Sequence, residues 1–520
     1  MTEAAGDWGG GYVTDIAYLP GYYRHQSPLH LNLACLLGGS AGIEIGPTSK
    51  LSYLELGCGQ GFGTLMLAAC NPAWQLIGID YNPAHIAAAR ALCAEAEIAN
   101  ARFLETDLAV IAETPVWGEL PDADVITMHG LWSWIGDAAR AGILRLLAHK
   151  LKPGGIAYVS YNALPAWQGA LGMQRLLLES GGRAGGRSDR QVAAGWELVR
   201  AVVDAEAHHL RDGLVRSLIE YSRQSPVAYL AHEYMNAAWQ PCFHADVVRA
   251  LGDAKLDWVA SAQLLENFTP LTLGEEARAI AARFDDPVMR ELVKDMFLTR
   301  GLRQDVFVRG ARRLTNAERD AALGEVTLAL LPEEEQFAWE FEVPVGQATI
   351  EREFFGPIVA ALSEAPQRVS ALLGLPNLPR RDNPGEVVGM LVGSHQALPV
   401  IGPAGEPDDR VRRLNRAAAK RFVRPDNLDT GMALAASGTG SPVPCPMLDL
   451  LIADRLQSDS PPDPAAWARE LGAAQPPSEQ DRLRDFIERV IAERAPAWRR
   501  LGVMPCQGAG DLIRSARLVL

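Results

Sequence analysis

At 520 residues the chain exceeds the size at which a single hydrophobic core keeps growing, so two or three domains are expected. Its content, 48% hydrophobic and 22% charged, is that of a soluble globular protein. A net charge of -14 weighs against general attraction to nucleic acid or to an anionic membrane.

In chain order, the first clear element is a strand over 51–56, leading into Glu55-Leu56-Gly57-Cys58-Gly59-Gln60-Gly61 and a helix over 62–70. Three glycines at a strand-to-helix turn make a nucleotide-like cofactor site. A dinucleotide fingerprint would need a third small residue where Phe62 stands, or, starting from Gly59, where Thr64 stands. Both registers fail, and no lysine follows to make a phosphate-binding loop. The apolar run 75–80 is a second strand ending in Asp80, about twenty residues on, where Rossmann-like folds place an acid on ribose hydroxyls. Asn82-Pro83 then supplies an N-cap with proline at the first helical position. Segments 101–107, 124–128 and 156–161 read as strands three to five, the last entered by the turn Leu151-Lys152-Pro153-Gly154-Gly155. Alternation of strands and helices in this order argues a doubly wound parallel sheet with its ligand at the carboxyl ends of the strands.

Downstream, 165–235 is expected to be a helical insertion, broken by a glycine and arginine loop over 181–190. A helix over 245–251 precedes a sixth strand at 256–260, and 305–308 supplies a seventh. The catalytic domain is expected to span 1–312. Helical patterns over 350–373 and 384–394 and a short strand at 398–401 resemble a winged helix, giving a middle domain over 313–402. The remainder, 403–520, is expected to be helical, with a basic run over 410–424, proline clusters at 442–446 and 461–464 marking loops, and an amphipathic helix over 479–499.

Polar and aromatic residues cluster where substrate should sit. After strand four come His129-Gly130-Leu131-Trp132-Ser133-Trp134, and after strand five Tyr161-Asn162-Ala163-Leu164-Pro165-Ala166-Trp167. A polar pair at a strand's carboxyl end opens onto the cleft, so Tyr161 and Asn162 are candidate catalytic residues, with His129 and Trp132. Packing beneath the next helix is the alternative for the tryptophans, and a structural histidine for His129. The stretch 18–23, Tyr-Leu-Pro-Gly-Tyr-Tyr, is either a lid or an arm packed on the sheet.

The Glu-x-Gly-x-Gly-x-Gly pattern of 55–61 resembles the first motif of class I S-adenosylmethionine (SAM) dependent methyltransferases. Together with 129–134, 160–167, Tyr229-Leu230-Ala231-His232-Glu233-Tyr234 and Pro241-Cys242-Phe243-His244, it is similar to bacterial methyltransferases that carry a methyltransferase regulatory domain. That group contains protein-lysine methyltransferases of rickettsial type. The resemblance covers roughly 15–312 well and the rest in outline, with the regulatory segment at about 220–300. It implies a seven-stranded Rossmann-like sheet and SAM as cofactor. The expected cofactor-binding set is Glu55, Gly57, Cys58, Gly59, Gly61, Asp80, Tyr81, Asp107 and His129, with Asp107 accepting from the adenine amino group. The acceptor it implies is a nitrogen, a protein lysine amine above all, whose proton could pass to Tyr161, His129 or bulk water.

Other readings stay open. The same sheet would serve a small-molecule methyltransferase acting on a sugar or natural product. A non-enzymatic protein could bind nucleic acid or a partner through Arg410, Arg412, Arg413, Arg416, Lys420, Arg421 and Arg424, although Asp408, Asp409, Asp426 and Asp429 flank that run. The insertion or the C-terminal part could make a homodimer contact. Seven cysteines, at 35, 58, 70, 93, 242, 445 and 506, fit neither a disulfide framework nor a zinc cluster, so no metal is expected. An amino terminus with Glu3 and Asp7 shows no signal segment, and no apolar run approaches the roughly 20 residues that span a bilayer, so a cytoplasmic setting without membrane contact is expected.

Overall fold

Seven strands form one sheet in the computed structural model: β1 (Ser52–Leu56), β2 (Gln75–Asp80), β3 (Ala101–Glu105), β4 (Ala123–Met128), β5 (Leu151–Asn162), β6 (Leu256–Ser261) and β7 (Leu302–Arg309). Their order is β3-β2-β1-β4-β5-β7-β6. β1 to β5 pair in parallel, and β7 runs antiparallel to both β5 and β6. The order reverses between β1 and β4, so the crevice at their carboxyl ends is where such a sheet receives its ligand. The structure describes residues 11–505 except 17, 19, 377, 459 and 460. Glu3, Asp7, Leu19 and Cys506 lie outside the described residues.

The strands form where short apolar runs can be covered on both faces. Along β5, Ile156 and Tyr158 enter one core cluster, while Ala157, Val159 and Tyr161 enter the other. Fully burying a side chain such as Ile156 or Val159 contributes roughly 1.5–3 kcal/mol, which fixes the register strand by strand.

β5 starts earlier than expected. Ala123 pairs with Leu151, and the register then shifts so that Val125 pairs with Ile156. The segment 151–155 is thus an irregular start to the strand, with Gly154 at φ +77°, and not a free turn.

Between β5 and β6 the chain runs through helices Leu171–Ala184, Ser188–Asp204, Gly213–Gln224 and Val227–Tyr234. The loop expected over 181–190 shrinks to 185–187. Gly181 continues its helix because a Cβ there would stand 2.6 Å from the Gln191 carbonyl oxygen, and Gly195 likewise faces Leu177. These glycines let two helices approach closely and do not break them.

β8 (Thr327–Leu330) is flanked on both sides by antiparallel partners in a small sheet; β9 (Glu340–Val343) and β10 (Gly346–Thr349) make a separate hairpin. The partners of β8 are β11 (Gln367–Arg368) and β12 (Ala397–Val400), separated by helices Val369–Leu373 and Pro384–Gly393. The winged-helix likeness is not confirmed: among the described residues no wing hairpin joins this sheet. The C-terminal part is not wholly helical either. β13 (Gly431–Leu434) and β14 (Val443–Pro446) pair, so the proline cluster at 442–446 enters a strand. A two-stranded ribbon has a free edge on each strand, which tolerates proline.

One core cluster runs from Leu31 and Leu65 under the sheet through Leu328 and Val411 to Trp498, joining the sheet to the C-terminal helices. The basic run forms the helix Asp409–Phe422. Arg410, Arg412, Arg413 and Arg416 there pair with Asp408, Asp409, Glu97 and Asp454, so phosphate contacts would compete with existing partners. Among the described residues no helix is long and apolar enough to cross a membrane.

Candidate active site

The turn after β1 is built by glycine. Gly57, Gly59 and Gly61 have φ of +72°, +53° and +73°, a region that side chains with a Cβ rarely adopt. Gly57 and Cys58 donate their backbone N–H groups to the Ile79 carbonyl at 2.8 and 3.0 Å, which anchors the turn to β2. Two of the glycines serve different ends. A Cβ on Gly61 would lie 2.4 Å from a Phe103 ring carbon, whereas one on Gly59 would meet nothing within 4 Å. Gly61 is therefore a packing residue, and Gly59 leaves open space beside the backbone. Burial pushes the Cys58 thiol well above its ordinary range, so it is not a nucleophile.

The carboxylate of Asp80 closes the other side of this space. Its Oδ2 accepts from Gly59 N and its Oδ1 from Asn82 N, both at 2.8 Å, and His85 Nδ1 lies 3.3 Å from Oδ1. Asn82 caps the following helix through Ala84 N, as expected. Glu55 is buried, accepting from Gln26 Nε2 at 3.1 Å and from Thr64 Oγ1. Burial moves its pKa up to about 7, against those two hydrogen bonds.

A cavity of about 760 Å³ opens over these groups at the carboxyl ends of the strands. Of the residues expected there, Glu55, Gly57, Cys58, Gly59, Asp80, Tyr81, Asp107, His129 and Asn162 line it. The neutral imidazole of His129 is stacked on Tyr23 with ring centroids 3.7 Å apart, and its Nδ1 shares a 2.7 Å hydrogen bond with the Tyr158 hydroxyl. Burial pushes its pKa down to about 3, which makes it a poor proton acceptor.

Gly61, Trp132 and Tyr161 do not line the cavity. Trp132 is buried in the apolar cluster beneath the helix Asp137–Lys150, with the Arg140 guanidinium 5.8 Å from its ring centroid, and Trp134 takes the place on the wall. Tyr161 is fully buried on the opposite face of β5 from Asn162, and its hydroxyl donates to Asp305 Oδ2 at 2.5 Å. Asp305 also accepts two bonds from Arg303, at 3.0 Å each, in a buried ionic cluster with Asp295 and Glu291. Tyr161 therefore belongs to the core, because adjacent strand residues face opposite sides.

The remaining wall comes from two segments that sequence reasoning left open or without a role. From the amino-terminal stretch, Tyr12, Tyr18, Pro20, Gly21 and Tyr23 line the cavity, while Tyr22 packs on the core, so the stretch is both lid and arm. Gln60 Nε2 donates to the Tyr18 carbonyl at 2.7 Å, tying the stretch to the glycine turn. From the helix Val227–Tyr234 come Tyr229, His232 and Glu233. His232 Nε2 bonds the Ile16 carbonyl at 2.8 Å, holding the two segments together. Glu233 Oε1 accepts from Asn162 Nδ2 at 3.3 Å, and burial moves its pKa up to about 7. The clustering of tyrosines over 12–23 was the available signal for this wall.

Residues 54–155 match a family model for a methyltransferase domain, and 226–309 match one described as a predicted methyltransferase regulatory domain. Over 368 residues the chain is 32% identical to the protein sll1526 of Synechocystis, an alignment covering 70% of this chain and 71% of that one. It is 30% identical to RP028 of Rickettsia prowazekii over 153 residues, 29% of this chain and 58% of the relative. Among solved structures, PKMT2 from Rickettsia typhi in complex with AdoHcy aligns with a TM-score of 0.66 and 16% identity, covering 94% of this chain and all of that one. At that identity the likeness is one of fold, and it extends through the C-terminal region.

Proposed function

The chain belongs to the class I SAM-dependent methyltransferases that carry a methyltransferase regulatory domain, and from that premise we propose that it methylates nitrogen, the amine of a protein lysine side chain. One observation carries this reading. Tyr12, Tyr18, Tyr23 and Tyr229 share one cavity with Trp134, Trp167 and the Asp80 wall. Aromatic faces attract a cationic amine by roughly 0.5–2 kcal/mol each, more when water is excluded. The rickettsial-type protein-lysine methyltransferases that the motifs resemble, and the whole-chain likeness to PKMT2, support the same acceptor.

The residues present fit the cofactor. The space a Cβ would fill at Gly59 lets a ligand approach the backbone, and Asp80 lies beside it with its carboxylate fixed by two backbone donors. In this reading Asp80 holds the ribose hydroxyls, Asp107 faces the adenine, and Glu55, Gly57, Cys58, Gly59, Tyr81 and His129 complete the cofactor half. Bound SAM supplies a methyl group on a positively charged sulfur. The protein's share is to align the acceptor nitrogen and keep water out, which is what the tyrosine wall and the 18–23 stretch are placed to do.

The test incubates the purified protein with methyl-labelled SAM and an extract of cells lacking the gene, followed by mass spectrometry. Methyl-lysine appearing in protein supports the proposal. Label confined to small molecules would replace it with the small-molecule reading, and no transfer to either would remove both.

A further inference from the structure

Glu233 is a partly buried carboxylate on the cavity wall with no cation to balance it. Its one hydrogen bond is the 3.3 Å contact from Asn162 Nδ2, and among the described residues no lysine, arginine or histidine pairs with it. Tyr12, Tyr18 and Tyr23 from the amino-terminal segment and Tyr229 and His232 from its own helix line the same cavity, and Asn162 from β5 donates to Glu233. A carboxylate withdrawn from water without a cation lowers folding stability once it is ionised.

A structural duty does not account for that cost. The Asn162 contact is at the long end of hydrogen-bond geometry. The end of β5 is also already held without it: Asn162 N donates to Ser133 Oγ at 2.9 Å, and its carbonyl accepts from Cys242 N at 2.9 Å. A carboxylate without a cationic partner, in a cavity shared with several tyrosines, is complementary to a ligand that brings its own positive charge.

Resting on the methyltransferase reading above, we infer that Glu233 receives the acceptor's ammonium group and takes its proton. One N–H bond of the ammonium breaks, an O–H bond forms on Glu233, and the nitrogen keeps the electron pair it needs for attack. The proton then leaves the carboxyl group to bulk water. Other cavity groups are less suited: Glu55, also pushed up to about 7, already accepts from Gln26 and Thr64, and burial lowers the pKa of His232. His129 is held neutral by burial, burial keeps the tyrosine hydroxyls protonated, and both Asp80 oxygens already accept backbone bonds. Glu233, pushed up to about 7, can hold and release a proton near neutrality. Glu233 and Asp80 line the same cavity from different elements, the helix Val227–Tyr234 and the end of β2.

The test uses full-length protein loaded with S-adenosylhomocysteine (AdoHcy) and titrated by NMR with n-butylamine, a lysine side-chain mimic, and with n-butanol, its neutral counterpart. The expected result is butylamine binding at least about tenfold tighter than butanol, a tenfold or greater loss in Glu233→Gln, partial recovery in Glu233→Asp, and AdoHcy affinity within about threefold throughout. In the unaltered protein butylamine binding should rise through pH 7 as the carboxylate forms, a dependence absent from Glu233→Gln. Equal binding of butanol and butylamine, an unaffected Glu233→Gln, or a flat profile in the unaltered protein between pH 6 and 8 would overturn the inference. Glu55 in the same cavity is also pushed up to about 7, so if Glu233→Gln does not fold the Glu233→Asp variant decides, and butylamine binding unchanged there would overturn the inference. Failure of the unaltered protein to bind AdoHcy would instead remove the methyltransferase reading on which the inference rests.

Discussion

The backbone N–H of Gly59 donates to Asp80 Oδ2 at 2.8 Å, so the glycine turn after β1 and the acid that ends β2 form one rigid wall. Gly59 has a positive φ, and its missing Cβ leaves the space in front of the wall open. Cofactor affinity should depend on both halves of this pair.

Replacing Asp80 with alanine removes the acceptor for Gly59 N and Asn82 N together with the proposed ribose contact. AdoHcy affinity measured by calorimetry should fall by tenfold or more, while hydrogen bonds to a charged group at this level, about 1.5–3 kcal/mol, set the scale of the loss. Unchanged affinity would mean that the ligand does not use this wall.

Alanine at Gly59 and at Gly61 should behave differently. Both positions cost about 1 kcal/mol or more in backbone strain. At Gly61 the new methyl also meets the Phe103 ring and Ala89 Cβ, so Gly61→Ala should lower stability by a further 1–3 kcal/mol or so. At Gly59 the methyl enters open space, so Gly59→Ala should lose cofactor affinity with the smaller stability change. Thermal unfolding with and without AdoHcy separates the two, and equal behaviour would contradict the division of roles.

Tyr161→Phe should keep methyl transfer within about threefold, because its hydroxyl is spent on Asp305 behind the sheet. Stability should drop by roughly 1–2 kcal/mol from the lost bond to a charged acceptor. A loss of turnover of a hundredfold with normal stability would restore Tyr161 to the catalytic set.

Stability should also depend on pH through Glu233. Its folded pKa, about 7, lies above the ordinary 4.5, so the protein binds a proton here more tightly when folded. The contribution is fully present below about pH 4.5 and is lost as the pH rises through 7. Glu233→Gln abolishes the ionisation and should make the ligand-free protein more stable than the unaltered one at pH 8, by at most about 3 kcal/mol at 1.36 kcal/mol per pKa unit. That difference should vanish near pH 4.5. Denaturant unfolding at the two pH values measures it, and a destabilised variant at pH 8 would show that the carboxylate is a structural anchor.

The sheet was legible because each strand is a short apolar run between turn residues, and the acids ending β2 and following β3 mark the carboxyl edge by their position alone. Strand parity, also present in the sequence, assigns the residues of β5 to opposite faces. Tyr158, Ser160 and Asn162 share one face, where Tyr158 bonds His129 and Ser160 Oγ accepts from Gly130 N, so Tyr161 has to face the other way. Trp132 and Trp134 could not be told apart before folding, since either could take the wall while the other enters the core. Glu233 carried no local signal for its role. Its meaning depends on Asn162, 71 residues away, and on tyrosines more than 200 residues away, which only the closed fold brings to one cavity.

In the proposed arrangement one cavity holds SAM on the Asp80 side and an amine on the Glu233 side. A crystal structure with AdoHcy tests it most directly. Ribose hydroxyls should lie on Asp80, adenine beside Asp107, and the sulfur should open toward Glu233 and the cavity's tyrosines. AdoHcy bound elsewhere, or in this cavity with its sulfur facing away from Glu233, would contradict it.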